Sequence, residues 1–349
     1  MRGTNLLVTG GAGFIGSNFI HHCVRTHPDW QITNLDKLTY AGNLDNVADV
    51  EEHPGYRFVR GDICEREVVE PLVAEADLIV NFAAETHVDR SIHDAGQFIF
   101  TDVYGTFVLL ESMRREPRAR LFIQISTDEV YGEISSGSAK ETDPLMPRNP
   151  YAASKAGADR LAYSYFATYD LPVLVTRASN NYGPRQYPEK IIPLFVTNAI
   201  EDQALPLYGD GLQVRDWLHV DDHCRALDML IGKGEPGETY NIGGSTELTN
   251  LELTDRILAC LEKPKSLIQR VDDRPGHDRR YSLDTARLRG LGWSPEVVFD
   301  EGISSTVKWY TDHADWWKAI KTGNKEYRRF YEKHYGGTPA KPRGDSGRE

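Results

Sequence analysis

Short apolar runs rich in β-branched residues alternate with helix-like segments through the first half of the chain. The predicted strands are NLLVTG (5–10), QITNLD (31–36), YRFVRGD (56–62), ADLIVNFAA (76–84), RLFIQIST (120–127) and PVLVTRA (172–178). Segments with helical periodicity lie between them, at 14–26, 65–75, 97–115 and 151–169. Near-continuous apolar strands separated by helices are typical of a parallel sheet covered on both faces. We therefore predict a doubly wound α/β fold, which binds ligands beyond the carboxyl ends of its strands.

Beyond about residue 180 the pattern changes to loops rich in Gly and Pro, short strands and a few helices. This change favours a smaller α/β C-terminal domain that holds the substrate. The segments WLHVDDHCRALDMLI (217–231) and ETYNIGG (238–244) again indicate a helix and a strand, which could return to the first domain. The predicted division is 1–182 with 216–242, then 183–215 with 243–333, and a flexible polar tail at 334–349.

The bulk composition excludes several classes of protein. A net charge of −12 argues against a nucleic-acid surface, which needs a basic stripe. No apolar run reaches transmembrane length, and the first residues enter a strand-like run at once, which leaves no room for a signal peptide. The cysteines are widely spaced, as expected for reduced thiols rather than a disulfide framework or a zinc site. We expect a cytoplasmic protein without a nucleic-acid or membrane partner.

The segment TGGAGFIG (9–16) follows the first predicted strand and opens the first predicted helix. Gly10, Gly13 and Gly16 have the spacing of a loop that turns sharply and approaches a pyrophosphate at a helix N-terminus. Asp36 ends the second strand about 20 residues later, where a carboxylate hydrogen-bonds ribose hydroxyls and repels a 2′-phosphate. Asp62, at the end of the third strand, could reach the adenine. The pattern predicts a Rossmann-type domain that binds NAD rather than NADP.

The segment YAASK (151–155) places Tyr151 and Lys155 on one face of a helix. An ammonium beside a phenol favours the phenolate, so we expect Lys155 to lower the pKa of Tyr151. Such a tyrosine can remove a hydroxyl proton while a hydride leaves the same carbon for NAD. Thr127, at the end of a neighbouring strand, adds a hydroxyl to this predicted site. Asp128 and Glu129 follow it directly, although like charges at the end of a buried strand raise each other's pKa.

Taken together, the glycine loop, the strand-end threonine and the Tyr-x-x-x-Lys pair resemble the extended short-chain dehydrogenases/reductases that act on nucleotide sugars. The nearer resemblance is to the dTDP-glucose 4,6-dehydratase family, and it covers the chain to about residue 320. It rests on DKLTYAGNL (36–44), AAETHVDRSI (83–92), ISTDEVYG (125–132), SNNYGP (179–184), PEKIIPL (188–194), RDWLHVDDH (215–223) and DRPGHDRRY (273–281).

This resemblance implies a use for the paired acids. After oxidation at C4, the new ketone acidifies the C5 proton, water leaves from C5 and C6, and hydride returns to C6. The family pattern implies Glu129 as the C5 base and Asp128 as the C6 acid, with Thr127 and Tyr151 serving the C4 hydroxyl. Burial and the neighbouring charge would keep Asp128 protonated while Glu129 ionises.

The resemblance also implies the residues that hold the ligands, with Lys190, Arg215, Arg274 and His277 as the cations for a nucleoside diphosphate. The cofactor set is Gly10, Gly13, Phe14, Ile15, Gly16, Asp36, Lys37, Thr39, Asp62, Ile63, Ala83, Ala84, Thr101, Tyr151, Lys155 and Asn181. The substrate set is Thr86, Asn180, Glu189, Lys190, Arg215, Asn250, Arg274 and His277. It further implies a homodimer formed through the helices near 97–115 and 151–169.

Several alternatives remain open from the sequence. The substrate could be UDP-glucose, CDP-glucose or GDP-mannose instead of dTDP-glucose. A nucleotide-sugar 4-epimerase and a non-catalytic NAD-sensing protein are possible on the same fold, although the first has no use for the acid pair and the second no use for a proton-transfer set. A metal site in HVDDH (219–223) is less favoured than a helix cap by Asp221 or Asp222, so no metal is expected.

Overall fold

The computed structural model describes residues 3–335, so most of the predicted tail, 336–349, lies outside the described residues. The strands are β1 (Asn5–Thr9), β2 (Gln31–Asp36), β3 (Tyr56–Arg60), β4 (Leu78–Asn81), β5 (Leu121–Thr127), β6 (Val173–Ala178), β7 (Asn180–Tyr182), β8 (Leu205–Tyr208), β9 (Val214–His219), β10 (Thr239–Ile242), β11 (Glu247–Thr249) and β12 (Ile268–Val271). Seven of them form one parallel sheet in the order β10-β6-β5-β4-β1-β2-β3. This arrangement confirms the predicted doubly wound fold.

Helices connect and cover these strands. They are α1 (Phe14–Thr26), α2 (Arg66–Glu75), α3 (Val88–His93), α4 (Ala95–Phe98), α5 (Thr106–Arg115), α6 (Pro150–Tyr169), α7 (Ile191–Ile200), α8 (Val220–Lys233), α9 (Asn250–Cys260), α10 (Ala286–Gly290), α11 (Phe299–Asp312), α12 (Ala314–Gly323) and α13 (Lys325–Tyr335). Short 3₁₀ turns lie at Leu44–Asn46, Ala48–Val50, Asp128–Tyr131 and Lys265–Leu267, and Ile99–Gly105 is a π-helical turn between α4 and α5. Within residues 3–335, none of the helices is long and apolar enough to cross a membrane.

Both faces of the large sheet are buried, because its strands are apolar at nearly every position. On one face, Phe19 of α1 and Leu227 of α8 pack with Val8 and Ile123 of the sheet. On the other face, helices α2, α5 and α6 pack against Leu7 and other sheet residues in a separate cluster. The chain builds the sheet outward from β1 in two opposite directions, through β2 on one side and through β4 on the other. At such a point the connections after neighbouring strands diverge, which leaves a crevice at the carboxyl ends of these strands.

The rest of the chain forms a smaller unit around β11-β9-β7 and β12-β8, with its own core from α7, α9 and α11. Two local predictions were wrong here. The segment 217–219 is the end of strand β9, and the helix begins only at Val220. The chain also stays helical through 334 and 335, the first two residues of the predicted tail.

A buried ion pair ties the sheet to α6. Arg177 of β6 donates to both carboxylate oxygens of Asp159 at 2.8 and 3.0 Å, and to the Tyr131 hydroxyl at 2.7 Å. Both charged side chains are almost completely buried. Removing one partner of such a pair leaves a desolvated charge without compensation, which costs about 3–5 kcal/mol.

We therefore expect Asp159→Ala to lower the free energy of unfolding by about 3–5 kcal/mol in denaturant titrations. The matched control is Glu75→Ala, which breaks the exposed ion pair with Arg57 and should cost less than about 1 kcal/mol. Equal losses in the two variants would contradict a special contribution from the buried pair.

Candidate active site

The glycine loop between β1 and α1 is closely packed against neighbouring backbone. Gly10 has a φ of 69°, and a Cβ there would lie 2.7 Å from the amide nitrogen of Ala83. A Cβ on Gly16 would lie 2.4 Å from the carbonyl oxygen of Gly10. Neither position tolerates a side chain, so the loop leaves the N-terminus of α1 accessible to an anionic group, as a bound pyrophosphate requires.

Two carboxylates stand at the strand ends beside this loop. Asp36 accepts hydrogen bonds from the amides of Ala12 and Leu38, at 2.9 and 2.8 Å, and burial raises its pKa. Asp62 lies 2.6 Å from the ammonium of Lys37. Burial opposes ionisation of Asp62, but the hydrogen bond from Lys37 prevails and lowers its pKa. The positions suit ribose and adenine groups of a dinucleotide.

All residues of the predicted cofactor set line one cleft along the carboxyl edge of the sheet. They are Gly10, Gly13, Phe14, Ile15, Gly16, Asp36, Lys37, Thr39, Asp62, Ile63, Ala83, Ala84, Thr101, Tyr151, Lys155 and Asn181. The cleft runs from the glycine loop and Asp36 to the acid pair after β5. The polar side chains of this cleft and the close packing of its glycine loop therefore fit NAD.

The predicted catalytic residues meet at the inner end of this cleft. Thr127 is the last residue of β5, and Asp128 and Glu129 begin a 3₁₀ turn. The Thr127 hydroxyl donates to Asp128 Oδ1 at 3.1 Å and accepts from the Glu129 amide at 3.3 Å. Burial, with the charge of Glu129 next to it, raises the pKa of Asp128 to about 8. Asp128 Oδ2 is buried and has no hydrogen-bond partner among residues 3–335, so one oxygen remains for a reacting group.

Tyr151 and Lys155 lie in the first turns of α6, which Asn149 caps through its side-chain oxygen on the Ala152 amide. The predicted effect of Lys155 on Tyr151 was wrong for this structure. Burial, followed by the charge of Glu129, raises the pKa of Tyr151, and the smaller opposing effect of Thr127 does not offset the increase. The Lys155 ammonium instead donates to the Ile125 carbonyl at 2.7 Å.

A second cleft adjoins the first and holds most of the predicted substrate set. Seven of the eight residues line it, namely Asn180, Glu189, Lys190, Arg215, Asn250, Arg274 and His277. Thr86 lies in the cofactor cleft, where its carbonyl accepts a hydrogen bond from Lys190. The two clefts share Glu129, Asn180, Glu189 and Lys190, so a ligand in the second reaches the acid pair.

The charges in this second cleft differ from the prediction at one position. Arg215 lies over the Tyr281 ring, 4.2 Å from its centre, and Arg274 lies 3.3 Å from Asp89. His277 was predicted as a cation, but burial and the charge of Arg274 lower its pKa to about 4. It is therefore neutral at physiological pH and contributes a hydrogen-bonding group, not a positive charge.

Two residues in or beside the clefts, His223 and Arg90, were not in the predicted sets. Arg90 pairs with the buried Glu189 at 3.1 Å and lies 3.7 Å from the centre of the Tyr40 ring. His223 contacts the Asn181 side chain at 2.9 Å and lines the cofactor cleft. Both stand in sequence blocks that carry the family resemblance, but only the tertiary structure shows that His223 lines a cleft and that Arg90 pairs with the cleft residue Glu189.

The HVDDH segment has structural contacts instead of metal geometry. The His219 side chain caps α8 by accepting from the Asp221 amide, so the cap was wrongly predicted at Asp221 or Asp222. Asp222 accepts from the amides of Glu296 and Val297, at 3.2 and 3.1 Å. Within residues 3–335 no group of three or more His, Cys, Asp or Glu side chains is arranged to hold a metal ion.

Comparison with known proteins identifies the group to which this site belongs. The GDP-mannose 4,6 dehydratase family model matches residues 7–306. A dTDP-glucose 4,6-dehydratase of Streptomyces niveus is 53% identical over 91% of this chain and 96% of that protein. The low-salt glycan biosynthesis protein Agl12 of Haloferax volcanii is also 53% identical, over 88% of this chain and 98% of that protein.

The fold comparison agrees with the sequence comparison. The crystal structure of DesIV, a dTDP-glucose 4,6-dehydratase from Streptomyces venezuelae with NAD and TYD bound, is similar with a TM-score of 0.89. It shares 49% sequence identity, and the match covers 91% of this chain and all of that one. This chain therefore belongs to the family of sugar-nucleotide 4,6-dehydratases, with dTDP-glucose 4,6-dehydratases among its near relatives.

Proposed function

We propose that this protein converts dTDP-glucose into dTDP-4-keto-6-deoxyglucose and water. The observation that carries the proposal is the meeting of Thr127, Asp128, Glu129 and Tyr151 where the two clefts join. Relatives with about half of their residues identical over most of the chain are dTDP-glucose 4,6-dehydratases, which favours this substrate over the other sugar nucleotides and over epimerisation.

The reaction begins at C4 of the sugar. Bound NAD supplies the hydride acceptor for this step and the hydride donor for the last one. Tyr151 removes the proton of the C4 hydroxyl as a phenolate, which the positive charge of bound NAD would favour against the burial that raises the pKa of Tyr151. The ammonium of Lys155, fixed on the Ile125 carbonyl, supplies positive charge on the same helix face. These residues therefore produce a ketone at C4, which acidifies the neighbouring C5 proton.

The elimination uses the two acids separately. Glu129 takes the proton from C5, while Asp128 gives its proton to the departing C6 hydroxyl. The low exposure of Asp128, 3%, and its neighbour Glu129 keep its pKa at about 8, so it is protonated at neutral pH. Each general acid or base step contributes about 10²–10⁴-fold in rate, so two carboxyl groups in opposite protonation states serve better than one.

The second cleft binds the nucleoside diphosphate. Arg215 and Arg274 offer guanidinium groups, whose fixed donor geometry matches phosphate oxygens. Lys190 is held against the Thr86 carbonyl between the two clefts, next to Glu189. We place the diphosphate near the two arginines and the sugar between Thr86 and Glu129, which brings C4, C5 and C6 to the catalytic residues.

The test of this function uses dTDP-glucose that carries deuterium at C4. We expect a 4-keto-6-deoxy product in which the label is recovered at C6 of the same molecule. Parallel incubations with UDP-glucose, CDP-glucose and GDP-mannose measure the choice of nucleotide. Label retained at C4 with inversion would point to an epimerase, and no reaction with any of the four would favour a non-catalytic role.

We also propose that the protein forms a homodimer through the π-helical turn and α6. Ile99, Phe100 and Tyr104 are exposed in that turn, and Tyr163 and Tyr169 are exposed on α6, which packs beside it. Exposed apolar patches of this kind mark interaction sites.

The division into a cofactor unit (1–182 with 216–242) and a substrate unit is supported by pairing of β10 with β6 and by the separate core of the smaller unit.

Phe100→Asp should convert the dimer into a monomer, because a charge on this 52% exposed ring would be desolvated in the interface. Sedimentation measures the mass of each species. Leu212→Asp is the matched control, since Leu212 is 42% exposed but lies far along the chain in the smaller unit. A monomeric wild-type protein, or a dimeric Phe100→Asp variant, would contradict this interface.

A further inference from the structure

The C-terminal helix α13 reaches across to the segment 187–190, where the two clefts join. Glu189 and Lys190 of this segment line both clefts, and both belong to the predicted substrate set. Glu326 of α13 hydrogen-bonds Arg90, and Arg90 in turn pairs with Glu189. The helix is therefore connected to a cleft residue through one intervening side chain, although Glu326 itself lines neither cleft.

Arg90 divides its guanidinium between two carboxylates. Its Nε and Nη2 donate to one oxygen of Glu189, at 3.2 and 3.1 Å, and its Nη1 donates to Glu326 at 2.5 Å. The guanidinium carbon also lies 3.7 Å from the centre of the Tyr40 ring, which restricts its movement on that side. Because the guanidinium is a rigid fork, the contact with Glu326 fixes the rotation that directs its other edge to Glu189.

The two carboxylates differ in exposure. The Glu189 side chain is 1% exposed, whereas the Glu326 side chain is 55% exposed. Burial raises the pKa of Glu189, and the charges of Arg90 and Lys190 oppose the increase. Glu189 therefore depends on Arg90 for its charge and its orientation, while Glu326 lies at the surface, where the loss of an ion pair costs the fold little.

Aromatic packing holds α13 beside the same segment. The Tyr327 ring is fully buried, and its hydroxyl donates to the Pro188 carbonyl at 3.4 Å. Tyr327 also lies edge-on to Tyr187, which in turn lies edge-on to Tyr40. These contacts fix the helix independently of Glu326, so a substitution of Glu326 changes its ion pair without releasing the helix.

We propose that Glu326 is a positioning residue that acts on Glu189 through Arg90 and so orders the cleft for the sugar of the substrate, a role that rests on the proposed function. The Glu189 carboxylate accepts hydrogen bonds from hydroxyl groups of the sugar where the two clefts join. Because the diphosphate binds near Arg215 and Arg274 instead, the effect of Glu326 is confined to ligands that carry a sugar.

The test measures the binding of dTDP and of dTDP-4-deoxyglucose to the NAD-loaded protein by isothermal titration calorimetry. Neither ligand is consumed, because the second lacks the C4 hydroxyl that would be oxidised. For Glu326→Ala we expect the affinity for dTDP-4-deoxyglucose to fall about 5-fold, while the affinity for dTDP stays within about 2-fold of wild type. Asp312→Ala is the matched control, because Asp312 is 49% exposed and pairs with Lys308 within α11. Both of its affinities should match those of the wild type.

A double-mutant cycle tests whether the effect passes through Glu189. Glu189→Gln keeps the size of the side chain but removes its charge, and it should weaken binding of the sugar ligand about 10-fold or more. If Glu326 acts through Arg90 on this carboxylate, Glu326→Ala should add little in the Glu189→Gln background, because both changes remove the same interaction.

Equal losses of affinity for the two ligands in Glu326→Ala would overturn the proposal, because they would indicate a general loosening of the clefts. Unchanged affinity for the sugar ligand would overturn it as well, and so would additive effects of the two substitutions. A wild-type protein that binds neither ligand, or that dehydrates none of the sugar nucleotides, would instead overturn the proposed function on which this role rests. The wild-type measurements therefore tell the two failures apart.

Discussion

Asp128→Asn is expected to slow the loss of water from the sugar about 10²–10⁴-fold while oxidation at C4 continues. The amide keeps the size of the buried side chain but has no acidic proton to give to the C6 hydroxyl. The 4-keto sugar nucleotide that has not lost water should accumulate. Rapid quench followed by mass spectrometry detects it, because it is heavier than the product by one oxygen atom.

A change of leaving group provides the control for this variant. Fluoride departs from C6 without protonation, so a 6-fluoro-6-deoxy substrate should restore elimination in Asp128→Asn. The wild-type elimination rate should also fall as the pH rises through about 8, because Asp128 must carry its proton to act. Persistence of the normal elimination rate in Asp128→Asn would show that another group is the acid.

Glu129→Gln is expected to lower the elimination rate by a similar factor, about 10²–10⁴-fold, but for a different reason. The amide cannot accept the C5 proton, and no leaving group departs from C6 unless this proton is removed. The 6-fluoro-6-deoxy substrate should therefore fail to restore the reaction. Nearby hydrogen-bond donors, Asn149 and Tyr281 at 3.4 and 3.5 Å, can still contact the amide oxygen, so the local structure should be retained.

The two variants together separate the acid from the base. Restoration by fluoride in Glu129→Gln would exchange the proposed roles, and restoration in both would mean that neither carboxyl is needed to remove the C5 proton. Exchange of the C5 hydrogen with deuterated solvent gives an independent measurement. The wild-type protein should incorporate deuterium at C5, and Glu129→Gln should lose this incorporation.

Much of the architecture could be predicted from local patterns. The strands β1, β2, β5 and β6 were located within a residue or two, because apolar β-branched runs bounded by turn residues are typical of buried strands. The glycine loop was equally clear, since its spacing meets a steric need that the structure shows at Gly10 and Gly16. The segment 217–219 was wrongly predicted as part of a helix, because a short apolar run beside a helix has no periodicity of its own.

The protonation states of the site residues and their ion-pair partners could not be predicted from the sequence. The ammonium of Lys155 is directed to the Ile125 carbonyl, so its effect on Tyr151 is smaller than the effects of burial and of Glu129. His277 became neutral because it is buried near Arg274. Partners such as Arg90 for Glu189 are distant in the chain, and no local pattern indicates them.

The sequence by itself determined the sheet, the dinucleotide loop and the residue types that the chemistry uses. The sheet depends on the pattern of apolar side chains, and the loop depends on glycines, which have no Cβ. The residue types of the site follow from the order of neighbours in the chain. Only the tertiary structure decided that the clefts meet at Glu129, that Asp128 Oδ2 is buried without a partner among the described residues, and that Thr127 donates to Asp128. The physical reason is that desolvation and charge act through space, so the pKa of a side chain depends on neighbours that folding brings together.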